Sequence, residues 1–192
     1  MRIISGYARG MRLRTPRGTG VRPTGDRVKE AIFTSLAAFE GAVVFDLFAG
    51  SGALGLEALS RGAAEVVWVE RNPRHASLIR RNLALVQRAL PDASSFACEI
   101  VAGDASKIAD LRANYAGKID VIFADPPYHA GRYESGAVEL CMDTGFAGWA
   151  RGAILVLEHA RDVALPLANI PWKLLKDKAY GETVVTYLKT EN

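Results

Sequence analysis

A chain of 192 residues, 49% of them hydrophobic, buries one substantial core and is too short for two ordinary domains. The net charge of +3 is mild, and Cys98 and Cys141 have neither metal-ligand spacing nor a disulfide framework, so both read as core thiols of a reducing compartment. No stretch approaches the roughly 20 apolar residues that span a bilayer, and the first ten residues lack the apolar run of a signal peptide, so a soluble, cytoplasmic protein is expected.

The first 29 residues carry Arg2, Arg9, Arg12, Arg14, Arg17, Arg22, Arg27 and Lys29 against Asp26 alone, an asymmetry that suits a polyanionic partner as well as a solvated basic surface. Segments 2–7 and 11–14 flank a turn at 8–10 and predict a small hairpin; Thr24 or Asp26 can cap a helix over 27–36. Residues 1–26 thus read as a basic β-hairpin extension on a single α/β domain over 27–192. Within that domain 43–47 (VVFDL) predicts a strand, 52–61 a helix, and 65–70 (EVVWVE) a second strand. Asn72-Pro73 opens a helix whose Ala76, Ile79, Leu83 and Val86 share one face, leaving Arg74, Arg81 and Arg88 outward. A short strand over 99–102, a helix over 107–115, a strand over 120–124, a helix over 134–143 and a strand over 153–158 follow. The segments 172–176 and 184–188, joined by a turn near Gly181, predict an antiparallel C-terminal hairpin on a mostly parallel sheet.

Residues 48–55 (FAGSGALG) place Gly50, Gly52 and Gly55 in a G-x-G-x-x-G pattern between strand and helix, where bare backbone can approach a ligand. Glycines also serve close helix packing. Glu70, at the end of the next strand, adds a carboxylate able to accept both hydroxyls of a ribose, so loop and acid together specify a nucleoside cofactor. A dinucleotide and S-adenosylmethionine would use the same crevice. Asp46 favours the second: it suits an amino group and a sulfonium and repels a pyrophosphate. Asp104, after the third strand, is placed to accept from an adenine amino group, with the backbone of Ala105 reading the ring edge; its alternative is a helix N-cap.

Residues 123–128 (FADPPY) end the fourth strand with one carboxylate, two prolines and one aromatic ring. Pro126 restricts Asp125 to extended conformations, Pro127 does the same to Pro126, and neither proline has an N–H to give. The Asp125 carboxylate and the Pro126 carbonyl are therefore two fixed acceptors for a planar exocyclic amine, and Tyr128 can stack on the base that bears it. No strong general base is needed, because the proton becomes acidic only once nitrogen gains positive charge. The bland reading is that this stretch merely ends a strand. His129 and His159 are left outside the catalytic set, and Glu158 either lines the pocket or pairs with a cation.

The run from Val44 through VFDLFAGSGALGLEALSRGA, the strand ending at Glu70, and DVIFADPPY together resemble the class I S-adenosylmethionine-dependent methyltransferases that modify exocyclic amines. The head, IISGYARGMRLRTP followed by RPTGDRVKEAIF, is similar to the RsmD-type 16S ribosomal RNA guanine-N2 methyltransferases. The resemblance implies a Rossmann-like, seven-stranded, mostly parallel sheet with an antiparallel C-terminal hairpin, S-adenosylmethionine as cofactor, and small-subunit ribosomal RNA in an assembled or assembling 30S particle as substrate of a monomer. It implies cofactor contacts from Arg22, Thr24, Asp46, Ala49, Gly50, Ser51, Gly52, Glu70, Arg71, Asp104, Ala105 and Asp125, catalytic roles for Asp125, Pro126, Pro127 and Tyr128, RNA contacts from Arg9, Arg12, Arg14 and Arg17, and no metal. Adenine-N6 methylation of DNA shares the DPPY chemistry but would need a target-recognition domain; a dinucleotide oxidoreductase conflicts with Asp46 and DPPY; a non-catalytic RNA-binding protein would keep the fold without transfer.

Overall fold

The apolar runs over 43–47, 65–69, 121–124 and 154–160 become strands buried on both faces, as a parallel sheet covered by helices requires. The computed structural model describes residues 1–16, 25–36, 38–127 and 136–190. Arg17, Arg22, Thr24, Tyr128 and His129 lie outside these residues. Seven strands form a mostly parallel sheet with an antiparallel C-terminal pair, the expected class. Two compact units make up the chain, 1–103 and 104–192.

In the first unit, helix α1 (Asp26–Ser35) precedes strand β1 (Val43–Leu47), helix α2 (Ala53–Ser60), strand β2 (Glu65–Val69), helix α3 (Pro73–Gln87) and strand β3 (Ala97–Val101). β2 pairs in parallel with β1 on one side and β3 on the other. All eight residues of α2 are buried, Glu57 included. Asn72 caps α3 by accepting from the Arg74 N–H, and Pro73 occupies the first helical position, as its missing N–H permits. β3 begins at Ala97, two residues earlier than expected, because its pairing with β2 supplies order that a half-exposed run does not advertise. Asp26 does not cap α1: its carboxylate turns to Arg2, 3.7 Å away, and Gly25 holds the cap position.

The predicted hairpin of the head is narrow, a single bridge between Arg2 and Arg12 with the Ile3 N–H donating to the Met11 carbonyl at 2.9 Å. Ile3, Ala8 and Leu13 are buried in the core of this unit. Four donors converge on the fully buried Glu57. Oε2 accepts from the Ile4 N–H at 2.7 Å and faces the Lys29 ammonium at 3.1 Å; Oε1 accepts from the Ser5 N–H and the Arg61 Nε, each at 2.9 Å. Lys29 also donates to the Arg2 carbonyl. The Ser60 hydroxyl accepts from the Ala8 N–H and donates to the Ser5 carbonyl, and the Ser60 carbonyl accepts from the Tyr7 N–H. That approach is possible only because residue 6 is glycine: it sits at φ +82°, and a Cβ there would lie 1.8 Å from the Ser60 carbonyl oxygen.

In the second unit, helix α4 (Ile108–Leu111), strand β4 (Val121–Ala124), helices α5 (Ala137–Met142) and α6 (Thr144–Trp149), and strands β5 (Ile154–Ala160), β6 (Trp172–Tyr180) and β7 (Thr183–Thr190) follow in order. β4 and β5 are parallel, and β7 runs antiparallel between β5 and β6. The helix expected over 107–115 is broken into a 3-10 turn, the four residues of α4 and a second 3-10 turn. Arg112 leaves helical geometry at φ −133°, and its carbonyl accepts from the Trp149 indole N–H at 2.8 Å instead of continuing the ladder. The helix expected over 134–143 stops at Met142, because Asp143 turns to cap α6 by accepting from the Phe146 N–H. No helix among the described residues is long and apolar enough to cross a membrane.

Candidate functional site

The glycine loop leaves β1 through three residues with positive φ: Phe48 at 57°, Gly50 at 55° and Gly52 at 76°. Left-handed backbone at a phenylalanine is strained, and such strain collects at ligand-handling turns. Gly52 is required by packing as well as by φ, since a Cβ there would meet Ile79 of α3 at 3.0 Å. Gly55 serves the close helix packing that is the other use of glycines in this pattern. A Cβ on it would fall 2.3 Å from the Trp68 indole nitrogen, so this glycine lets α2 lie against β2. A Cβ on Gly50 would meet only the Phe48 carbonyl oxygen within 4 Å, which leaves that part of the loop open to a ligand.

Two buried acids brace the loop. Glu70, at the end of β2, accepts from the Gly50 N–H through Oε2 at 2.8 Å and from the Asn72 N–H through Oε1 at 2.7 Å, with His75 Nδ1 3.8 Å from Oε2. A carboxylate has about four acceptor sites, so two N–H donors leave room for the paired hydroxyls of a ribose. Asp46, within β1, accepts from the Gly55 N–H at 2.9 Å, and burial pushes its pKa up to about 8; the Gly55 hydrogen bond opposes the rise and the charge of Glu70 adds to it. Burial thus favours the protonated form of Asp46. A ligand bringing hydroxyls to Glu70 and positive charge to Asp46 answers both groups, and S-adenosylmethionine fits that donor and charge set. Ala49 and Ser51 are buried in the same loop, and Arg71 is exposed just past Glu70.

Sequence reasoning missed Asn82. It is fully buried on α3, accepts from the Arg14 N–H at 2.9 Å, and donates to the Arg14 carbonyl at 2.9 Å and to the Ser51 carbonyl at 3.0 Å. Its amide thus pairs with Arg14 as a strand neighbour would and also steadies the glycine loop. The available signal was a polar residue at an inward α3 position, beside Ile79, Leu83 and Val86. Glu57, charged amid the apolar run of α2, was a similar signal. Arg9, Arg12 and Arg14 are exposed, with Leu13 buried between the last two.

In the second unit, Asp104 accepts from the Ser106 N–H and hydroxyl through Oδ1, capping the turn that contains buried Ala105; Oδ2 is the oxygen not used by that cap. Asp125 is half-buried directly after β4, Pro126 is buried and Pro127 exposed. His159 is satisfied structurally: the Ala160 carbonyl can only accept, so Nδ1 carries the proton, and Nε2 accepts from the Thr186 hydroxyl at 2.9 Å. Burial raises the Cys98 thiol to about 11 and the Cys141 thiol to about 12, which leaves both unreactive at neutral pH. No cluster of three metal-ligating side chains occurs among the described residues.

A family model described as "Conserved hypothetical protein 95" matches residues 1–189. The chain is 34% identical over 194 residues to Ribosomal RNA small subunit methyltransferase D of Haemophilus influenzae, covering 100% of this chain and 94% of that one. Its identity to the protein of the same name from Escherichia coli K12 is 33% over 196 residues, covering 100% and 90%. A solved hypothetical protein of Thermus thermophilus matches with a TM-score of 0.72 at 28% identity, over 99% of both chains.

Proposed function

Since the chain belongs to the family described as "Conserved hypothetical protein 95", the RsmD-type methyltransferases, we propose that it methylates the exocyclic N2 amine of a guanine in 16S ribosomal RNA, within an assembled or assembling small subunit. The cofactor is S-adenosylmethionine, which supplies an electrophilic methyl group on a sulfonium. The observation that carries this reading is the pair of buried acids that brace one glycine loop, Glu70 through the Gly50 N–H and Asp46 through the Gly55 N–H.

Each residue has a definite task. Glu70 keeps the loop closed through the Gly50 N–H while accepting hydroxyls, and Asp46 gains its charge when a cation arrives. Asp104 and the Ala105 backbone read an adenine edge, and Arg22, Thr24 and Arg71 support the cofactor. Asp125 and the Pro126 carbonyl accept the two amine N–H bonds, turning the nitrogen lone pair toward the methyl group; Pro127 fixes the path and Tyr128 stacks on the guanine. Binding in this geometry replaces activation by a strong general base, because the methylated, positively charged nitrogen readily gives up its proton, to the Asp125 carboxylate that accepts its N–H bond or to water.

Labelled-methyl transfer to 16S ribosomal RNA, followed by nucleoside mass spectrometry, tests the reading. N2-methylguanosine is expected as the product; N6-methyladenosine, or binding without transfer, would replace the proposal. Asp125→Ala is expected to abolish transfer while leaving cofactor affinity within a few-fold. A loss of affinity equal to the loss of rate would assign Asp125 to the wrong ligand.

A further inference from the structure

Residues 71–91 contain Arg71, Arg74, Arg80, Arg81 and Arg88 and no aspartate or glutamate. Arg74, Arg81 and Arg88 are seven residues apart and all exposed, with Arg80 beside them. At 1.5 Å per residue they stand about 10 Å apart along one side of α3. None of the four forms an ion pair among the described residues, whereas Arg2 and Arg61 are both paired. Helix stability does not explain the pattern. Arg88 suits the C-terminal end of the helix, but Arg74 lies in the first turn, where the dipole disfavours a cation.

Asn82, one residue from Arg81, holds both backbone groups of Arg14 against this helix. Arg12 and Arg14 alternate with buried Leu13, so both side chains leave on the outer side of the extended head segment. The head's first 16 residues likewise contain no acid. We propose that the outer face of α3 is the second half of the surface that takes the phosphate backbone of the substrate RNA, fixed to the arginines of the head by the Asn82 clamp. This rests on the ribosomal RNA reading given above. A membrane surface is a poorer fit, since interfacial helices bury an apolar face in lipid; here that face, Ala76, Ile79, Leu83 and Val86, is already inside the protein.

The test is the salt dependence of binding to 16S ribosomal RNA by the full chain carrying Arg74→Gln, Arg81→Gln and Arg88→Gln. Each lost phosphate contact lowers the slope of log K against log salt by about 0.7 for single-stranded RNA, so a drop of about 2 is expected. The matching Arg→Lys triple variant should keep the wild-type slope. Lys173→Gln, Lys178→Gln and Lys189→Gln together remove the same charge from exposed positions on β6 and β7 and should also leave it unchanged. An unchanged slope in the Arg→Gln variant, or an equal drop in the β6/β7 variant, overturns the proposal. The two readings fail separately: a wild-type protein that methylates the RNA while the arginine variant keeps its slope ends this surface alone. A wild-type protein that binds but transfers nothing ends the methylation reading alone.

Discussion

Replacing Glu57 by glutamine asks whether the head is held by charge or by shape. Each carboxylate oxygen faces two donors, Ile4 N–H and Lys29 on one side, Ser5 N–H and Arg61 on the other. Glutamine is nearly isosteric, yet whichever way it turns its NH2 confronts two donors and the Lys29 ammonium loses its countercharge in a site with no exposure. Breaking a fully buried pair from one side costs about 3–5 kcal/mol, and at 2–4 °C per kcal/mol for a chain of this size the midpoint should fall by roughly 6–20 °C. Burial already lowers the Lys29 pKa against the pull of Glu57. Without that pull the lowering deepens, so folding binds fewer protons than the unfolded chain and the deficit shrinks as pH rises toward the ordinary lysine value. Adding Lys29→Met should restore part of the loss, since it removes the orphaned charge. Calorimetry gives the midpoint, and amide exchange at Ile4 and Ser5 reports whether the head undocks first. A Glu57→Gln protein within about 1 kcal/mol of wild type, with both amides still protected, would refute the claim that the clamp depends on charge.

Burial raises the Asp46 pKa in the folded state to about 8, well above the ordinary carboxylate range, so the folded state holds its proton more tightly. Its contribution to stability is complete below the unfolded value and is lost as pH rises through the folded one; ligand-free wild type should therefore lose midpoint relative to Asp46→Asn between those two values, and parallel curves would contradict the shift. For Gly6→Ala, a Cβ 1.8 Å from backbone at φ +82° must push the head off α2, costing at least about 1–3 kcal/mol; wild-type thermal stability and wild-type protection at Tyr7 and Ala8 would show that the turn can rearrange freely.

Local features were legible in the sequence because their causes are local. β1, β2, the glycine loop, the Asn72-Pro73 start of α3 and the C-terminal hairpin all follow from period, caps and turns within a few residues. Glu70 was readable because its strand-end position follows from the same pattern. What stayed hidden depends on partners far along the chain: Glu57 meets Ile4 and Ser5 from 53 and 52 residues away, and Asn82 meets Arg14 from 68. The break at Arg112 carries no proline or glycine, and its cause, the Trp149 indole, lies 37 residues on. β6 runs to Tyr180, beyond the expected 176, because its mostly exposed residues are held by the ladder to β7 and show no apolar alternation.

The Asn82 clamp also sets an order of assembly. The head is made before α3, and the amide that fixes Arg14 is translated 68 residues after it. At 5–20 residues per second this delay is about 3–14 s. Until α3 is made, both backbone groups of Arg14 lack this partner. The docking of the head is thus completed late, when a buried side-chain amide takes up both backbone groups of a segment whose ladder to its neighbour is a single bridge.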